Sequence, residues 1–366
     1  MQQNALLLKS ISVKKLVTAA VLLLALHCSA QKSVDLDRYR FSVQLRSLPT
    51  VRIDSTYRTY DVDVTTTKLM DQFFMQSDPG KTIRLEGWKK LPSRGHISIQ
   101  VKLGDLLPGD ATVRERVITQ RTGNGVITST KTMYYQEVTY TFEASAVITD
   151  YLGMHLGDEQ LASRSYKRIY RSPEFSNRLI AEGYFLVNSV AVTRELFRQE
   201  STSAIHALNR RINDLYGFET VQTDDFMWSI DSRKHPEYDE WRKALRITTD
   251  VLFSMNANTP IDGAREKLAP AIAYFEKIKT DYNSEKRHDR KLRYGAYFNL
   301  AVIYYYLDDP QAMMREANGL ALNDFDTNDA KGFKQTATWL RNIFEQNNIY
   351  TRHFQIDTEA YAGPGE

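Results

Sequence analysis

Ala296-Tyr297-Phe298-Asn299-Leu300-Ala301-Val302-Ile303-Tyr304-Tyr305-Tyr306-Leu307-Asp308-Asp309 decides how the C-terminal third of this chain is read. The stretch carries no glycine or proline and reads as a helix that stops at the Asp309-Pro310 turn. Its surroundings have the same period. Trp241, Leu245, Thr248, Leu252 and Met255 share one helical face, and Leu268, Ile272, Phe275 and Ile278 define the next helix. Gln311 to Leu320 and Phe333 to Phe344 follow with helical spacing. From Glu237 on, the chain is expected to be helical.

Upstream the period changes to two. Phe41, Val43 and Leu45 alternate with Ser42 and Gln44, and Ile97, Ile99, Val101 and Leu103 alternate through the next clear strand. Val113–Thr119 and Val126–Met133 flank Gly123-Asn124-Gly125, a hairpin turn. Val138, Tyr140 and Phe142 continue a β-branched and aromatic run up to Ile148. A short helix is expected around Lys68 to Met75. The whole suggests an antiparallel sheet or sandwich. Leu179, Ile180, Leu186, Val187 and Val190, then Leu196, Phe197, Ile205, Leu208, Ile212 and Leu215, have helical spacing. They are expected to form two helices packed on the sheet, closed by a Gly217 cap. Phe218 to Ile230 reads as a last strand or an extended connector. The fold class is α+β: a β-rich domain over residues 31–232, a polar boundary at Ser232–Pro236, and an all-α domain of stacked helical hairpins over 237–355. Residues 356–366 read as a disordered tail.

The helical stretch resembles the first helix and turn of a tetratricopeptide repeat. Tyr297, Leu300, Ala301 and Tyr304 match the family's spacing of aromatic, leucine, small residue and tyrosine. The small residue lets the paired helix approach, and the bulky ones fill the groove between hairpins. Ala271 to Ile278 is similar to a repeat's second helix. The pattern also departs from the family. Ala271 and Ala312 stand 41 apart instead of at the family's shorter period, and Glu316 and Gly319 sit where an aromatic and an alanine are usual. The resemblance implies stacked hairpins, and more weakly a surface that holds a protein partner.

The N-terminus sets the address. Lys9, Lys14 and Lys15 precede an apolar run from Leu16 to Leu26, then Cys28-Ser29-Ala30 and Gln31. This is the pattern of an export signal over residues 1–30. The run is about half the ~20 residues needed to span a bilayer. Cys28, the only cysteine, is a candidate for lipidation, although Leu26 and His27 match a lipobox only in part. Soluble export, periplasmic or at the cell surface, is the main expectation. Peripheral membrane attachment is the alternative if Cys28 is acylated. Of 48 Lys plus Arg and 45 Asp plus Glu, residues 1–30 hold three Lys and no acid, which leaves 45 of each and no net charge. Nucleic acid is not an expected partner.

No catalytic, cofactor or metal motif emerges. There is no G-x-S-x-G elbow and no H-E-x-x-H helix. Beyond residue 30 there is no thiol, and the histidines at 96, 155, 206, 235, 288 and 353 lack ligand-like pairing. Gly80-Lys81-Thr82 imitates the end of a P-loop without the preceding glycine, so a turn is the better reading. Asp324, Asp326 and Asn328 imitate an EF-hand, but Asp329 and Gln335 replace its glycine and glutamate. An acidic turn capping the next helix fits them better.

The expected role is a non-enzymatic interaction or scaffold protein of the bacterial cell envelope. Tyr305 and Tyr306 are the candidate partner interface, and Tyr297, Leu300, Ala301 and Tyr304 pack the repeat. The alternative is a glycan- or peptide-binding module, possibly hydrolytic, in the β-rich domain. There Trp88, Tyr134 and Tyr135 would stack on a ligand beside carboxylates from distant strands.

Overall fold

A computed structural model describes residues 34–74, 79–125 and 127–365. Residues 1–30, with Cys28, lie outside them. The chain is α+β and divides into two compact units. One comprises residues 34–45, 221–345 and 350–354. The other comprises residues 46–220, 346–349 and the C-terminal residues from 355.

The first unit is built on two strands and five helices. β1 (Leu36–Arg46) pairs with β10 (Thr220–Ile230). The helices are α3 (Tyr238–Ser254), α4 (Ala264–Asp281), α5 (Arg287–Tyr306), α6 (Pro310–Asn323) and α7 (Thr327–Asn347). Consecutive helices from α3 to α6 pack against one another. This corrects the expected boundary at Ser232–Pro236. Both strands belong with the helices, because their apolar residues Phe41, Val43, Leu45, Met227 and Ile230 join the core of Trp241, Leu268, Phe275 and Leu300. A two-stranded ribbon is marginal alone, and here a helix side chain completes it. Asn299 of α5, fully buried, accepts from the Trp228 N–H at 2.7 Å and donates to its carbonyl at 2.9 Å, where another strand's backbone would otherwise stand.

The second unit contains two sheets. The larger has strand order β3-β2-β4-β7-β8, with β2 (Thr59–Thr66), β3 (Lys89–Lys90), β4 (Ile97–Leu103), β7 (Ala144–Asp150) and β8 (His155–Ala162). It is mixed, not antiparallel: β2 runs parallel to β3 and β4. The link from β2 to β4 carries α1 (Lys68–Phe74) and a 3-10 turn at Pro79–Thr82, and parallel neighbours need such a crossover. That 3-10 turn is where the Gly80-Lys81-Thr82 P-loop imitation lies. The smaller sheet is antiparallel, order β5-β6-β9, from β5 (Leu107–Arg121), β6 (Ile127–Thr141) and β9 (Arg168–Arg171).

One helix, α2 (Arg178–Tyr216), spans the region expected to hold two. Arg198 to Ser203 is polar but contains no glycine or proline, so nothing in the backbone breaks it. Asn177 caps its start by accepting from the Leu179 N–H. Gly217 does follow it, but in extended backbone (φ −83°). The glycine is needed there for closeness: a Cβ would lie 2.5 Å from the Asn213 side-chain oxygen. The expected disordered tail is corrected as well. Lys89 Nζ donates to the carbonyls of Glu359 and Tyr361 at 3.0 and 3.1 Å, which ties it down.

Candidate interaction surface

Tyr297, Leu300, Ala301 and Tyr304 lie where helices meet. Leu300 and Ala301 are fully buried and Tyr304 nearly so. Tyr297 packs over Gly319 of α6, where a Cβ would come within 2.3 Å of its ring. Glu316 is buried too, and its carboxylate accepts from Lys279 of α4 at 2.8 Å. Burial raises the Glu316 carboxyl, and Lys279 opposes that shift.

Tyr306 is corrected as an interface residue. It is completely buried, edge-on to Phe41 at 5.5 Å, and donates to Asp225 at 2.9 Å. Burial pushes both the phenol and the Asp225 carboxyl upward. Tyr305 is half-buried, and its ring is covered by the Arg352 guanidinium at 4.3 Å. Arg352 Nε donates to Asp308 at 2.7 Å, its backbone N–H donates to the same carboxylate at 2.7 Å, and its guanidinium donates to the Tyr305 carbonyl at 2.6 Å. Both charges are buried, so this segment clamps the α5–α6 turn and occupies the face expected for a partner.

The aromatics proposed for a ligand in the sheets fare similarly. Trp88 is buried and donates its indole N–H to the Tyr216 carbonyl at 2.9 Å. Tyr134 and Tyr135 are half-buried, and Arg171 lies over the Tyr135 ring while pairing with Glu137. His96 is stacked on Tyr57 at 5.2 Å and bonded to Thr59, and burial lowers its pKa. His353 is buried and bonded to the Asn256 carbonyl. Among the described residues, no three His, Cys, Asp or Glu side chains are placed to hold a metal ion. Asp326 accepts from the Asn328 N–H at the start of α7, as expected of a capping turn.

A surface that sequence reading placed in the core lies on α2. Leu179, Ile180, Leu186, Val187 and Val190 were expected to pack on the sheet. They are instead 55–82% exposed. The opposite side of the same turns faces β6. The Gln136 side chain donates to the Glu182 carbonyl at 3.0 Å and accepts from the Phe185 N–H at 2.9 Å. Ala181 and Val192 are buried there, and Tyr184 packs on Phe175 at 5.4 Å. The helix is thus pinned with its second apolar face outward. In the second half of α2, Phe197, Ala204, Ile205 and Leu208 continue that outward stripe, but there they are buried. Phe197 meets Phe142 edge-on at 5.9 Å. A sequence signal for this existed: Leu179 to Thr193 contains one charged residue, Glu182. A helix apolar on both sides needs two covers.

Among the described residues, no helix is long and apolar enough to cross a membrane. No family model matches the chain, and no curated protein matches it. A solved structure described as a neuraminyllactose-binding hemagglutinin homolog from Helicobacter pylori aligns over 45% of this chain and 89% of its own length, at 7% identity and a TM-score of 0.23. A likeness that slight carries no argument about fold or ligand, so the exposed face of α2 is judged on its geometry alone.

Proposed function

We propose that this chain is an exported interaction protein of the bacterial cell envelope, and that the outward face of the first half of α2 is where it engages a partner. The observation that supports this is the contiguous row of five large apolar side chains on a helix whose other side is already anchored. Soluble proteins rarely leave such a row in water unless it is an interface. The export pattern in residues 1–30 supplies the envelope address. The hairpins α3 to α6, with Ala301 and Gly319 at their close approaches, act in this reading as a degenerate tetratricopeptide-like support. The clamp by Arg352 favours a structural role for that region over a binding one.

The test is site-specific photo-crosslinking in cells, with the photoreactive residue at Val187 or, as a control, at Tyr305. A discrete product from Val187 that disappears with Leu186→Asp supports the reading. Products from Tyr305 alone, or none from either site, would overturn it.

A further inference from the structure

We infer that the partner on α2 is a second copy of this chain, packed antiparallel through Leu179, Gly183, Leu186 and Val190. This inference rests on the reading of α2 as the interaction surface. Those four positions are spaced four, three and four apart, the alternation of a coiled-coil seam. Two copies related by a two-fold axis between Tyr184 and Phe185 set Leu186 of each against Gly183 of the other, and Leu179 against Val190. Beside that seam, Ile180 of each copy faces Val187 of the other.

Gly183 selects this register. A Cβ built on it meets nothing within 4 Å, so the helix surface has an open notch there. Leu186, one turn further and 82% exposed, is the knob beside it. Antiparallel pairing puts knob into notch twice. Parallel pairing would face Gly183 with Gly183 and leave a void at the centre of the seam, which a packed interface does not tolerate. In the antiparallel register Glu182 faces Ser189 of the other copy, so the single charge on these turns stays at the rim and meets no like charge. The five large side chains expose roughly 650 Å² per chain, so a symmetric pair removes at most about 1,300 Å² from water, at the lower end of the range of stable interfaces. A two-fold contact also closes on itself and leaves no surface for filament growth.

The test uses residues 31–366, which contain no cysteine. Sedimentation at tens of micromolar should give a dimer. Leu186→Asp and, separately, Gly183→Leu should weaken it by at least about tenfold in Kd. The second variant is the sharper one. Leucine is a better helix former than glycine and has open space here, so the monomer should be no less stable while the notch is filled. A short bis-maleimide should join Leu179→Cys chains to Val190→Cys chains but not Leu179→Cys chains to each other, whose seam positions lie about 16 Å apart along the axis. A Leu179–Leu179 product, or a dimer indifferent to both seam variants, overturns the inference. A monomer also overturns it. If that monomer still crosslinks an envelope protein from Val187 in cells, or binds phospholipid vesicles through this face, the reading of α2 as the interaction surface survives. If it does neither, both fall.

Discussion

α5 and the first half of α2 are both apolar around most of their circumference, yet they end up in opposite environments. α5 buries Leu292, Tyr294, Phe298, Leu300, Ile303 and Tyr306 on successive sides. Each side has a neighbour: α4, α6, the edge of β10 through Asn299, and Phe333 of α7 at 4.9 Å from Phe298. The first half of α2 is held on one side, by Gln136 of β6, Tyr170 of β9 and Phe175, and leaves its other face in water. The lesson is that an all-round apolar helix states how many covers it needs, and the structure states how many it has within its own chain. α5 is complete, whereas α2 lacks one.

Four outcomes would sharpen or break that contrast. The largest effect should come from the clamp over the α5–α6 turn. Arg352→Ala leaves the buried Asp308 without its counter-charge, and should cost about 3–5 kcal/mol in denaturant unfolding of the first unit. Full stability in that variant would mean the turn needs no clamp. Next, Ala301→Trp should cost about 1–3 kcal/mol or more, because the site is fully buried between helices. An unchanged thermal midpoint would defeat the close-packed view of α5.

A pH effect ranks third. Tyr140 and Tyr170, on β6 and β9, are pushed up to about 12, mainly by burial and then by hydrogen bonds to Glu200 and Tyr184. Phenols raised in the fold stabilise it fully below their unfolded value near 10. That stability is lost as pH rises through about 12. The part of the tyrosinate absorbance that belongs to these buried phenols should therefore rise together with unfolding above pH 10, not before it. Ionisation of all tyrosines in a still-folded protein would contradict the packing of these strands. The smallest effect should be that of Leu186→Asp on the stability of the separate chain, within about 0.5 kcal/mol, since the side chain lies in water. A loss of several kcal/mol would put α2 in the same class as α5 and remove the case for a partner there.

The site was legible in the sequence only as a pattern without a location. Leu179, Ile180, Leu186, Val187 and Val190 are visibly periodic, and the natural reading is that such residues touch the sheet. Ala181 and Val192, on the other side of the helix, are the buried ones, and the Phe185 N–H bonds to Gln136 of β6. Periodicity shows that a face is apolar but does not rank two apolar faces. Tyr305 and Tyr306 failed for the converse reason. The groups that cover or hold them, Arg352 and Asp225, are distant in sequence and carry no local signal.

Local chemistry alone determined the elements. Period-two alternation made β1 and β4, the glycine-flanked turn made the β5–β6 hairpin, and helical spacing made α3 to α7, because backbone geometry and side-chain period act within a few residues. Tertiary structure alone decided that β1 and β10 complete the helical unit, that β2 and β4 run parallel, that α2 is one helix and which of its faces stays in water. Those outcomes depend on partners scores of residues away, and a short window of sequence does not contain the atoms that fill or leave empty the far side of an apolar face.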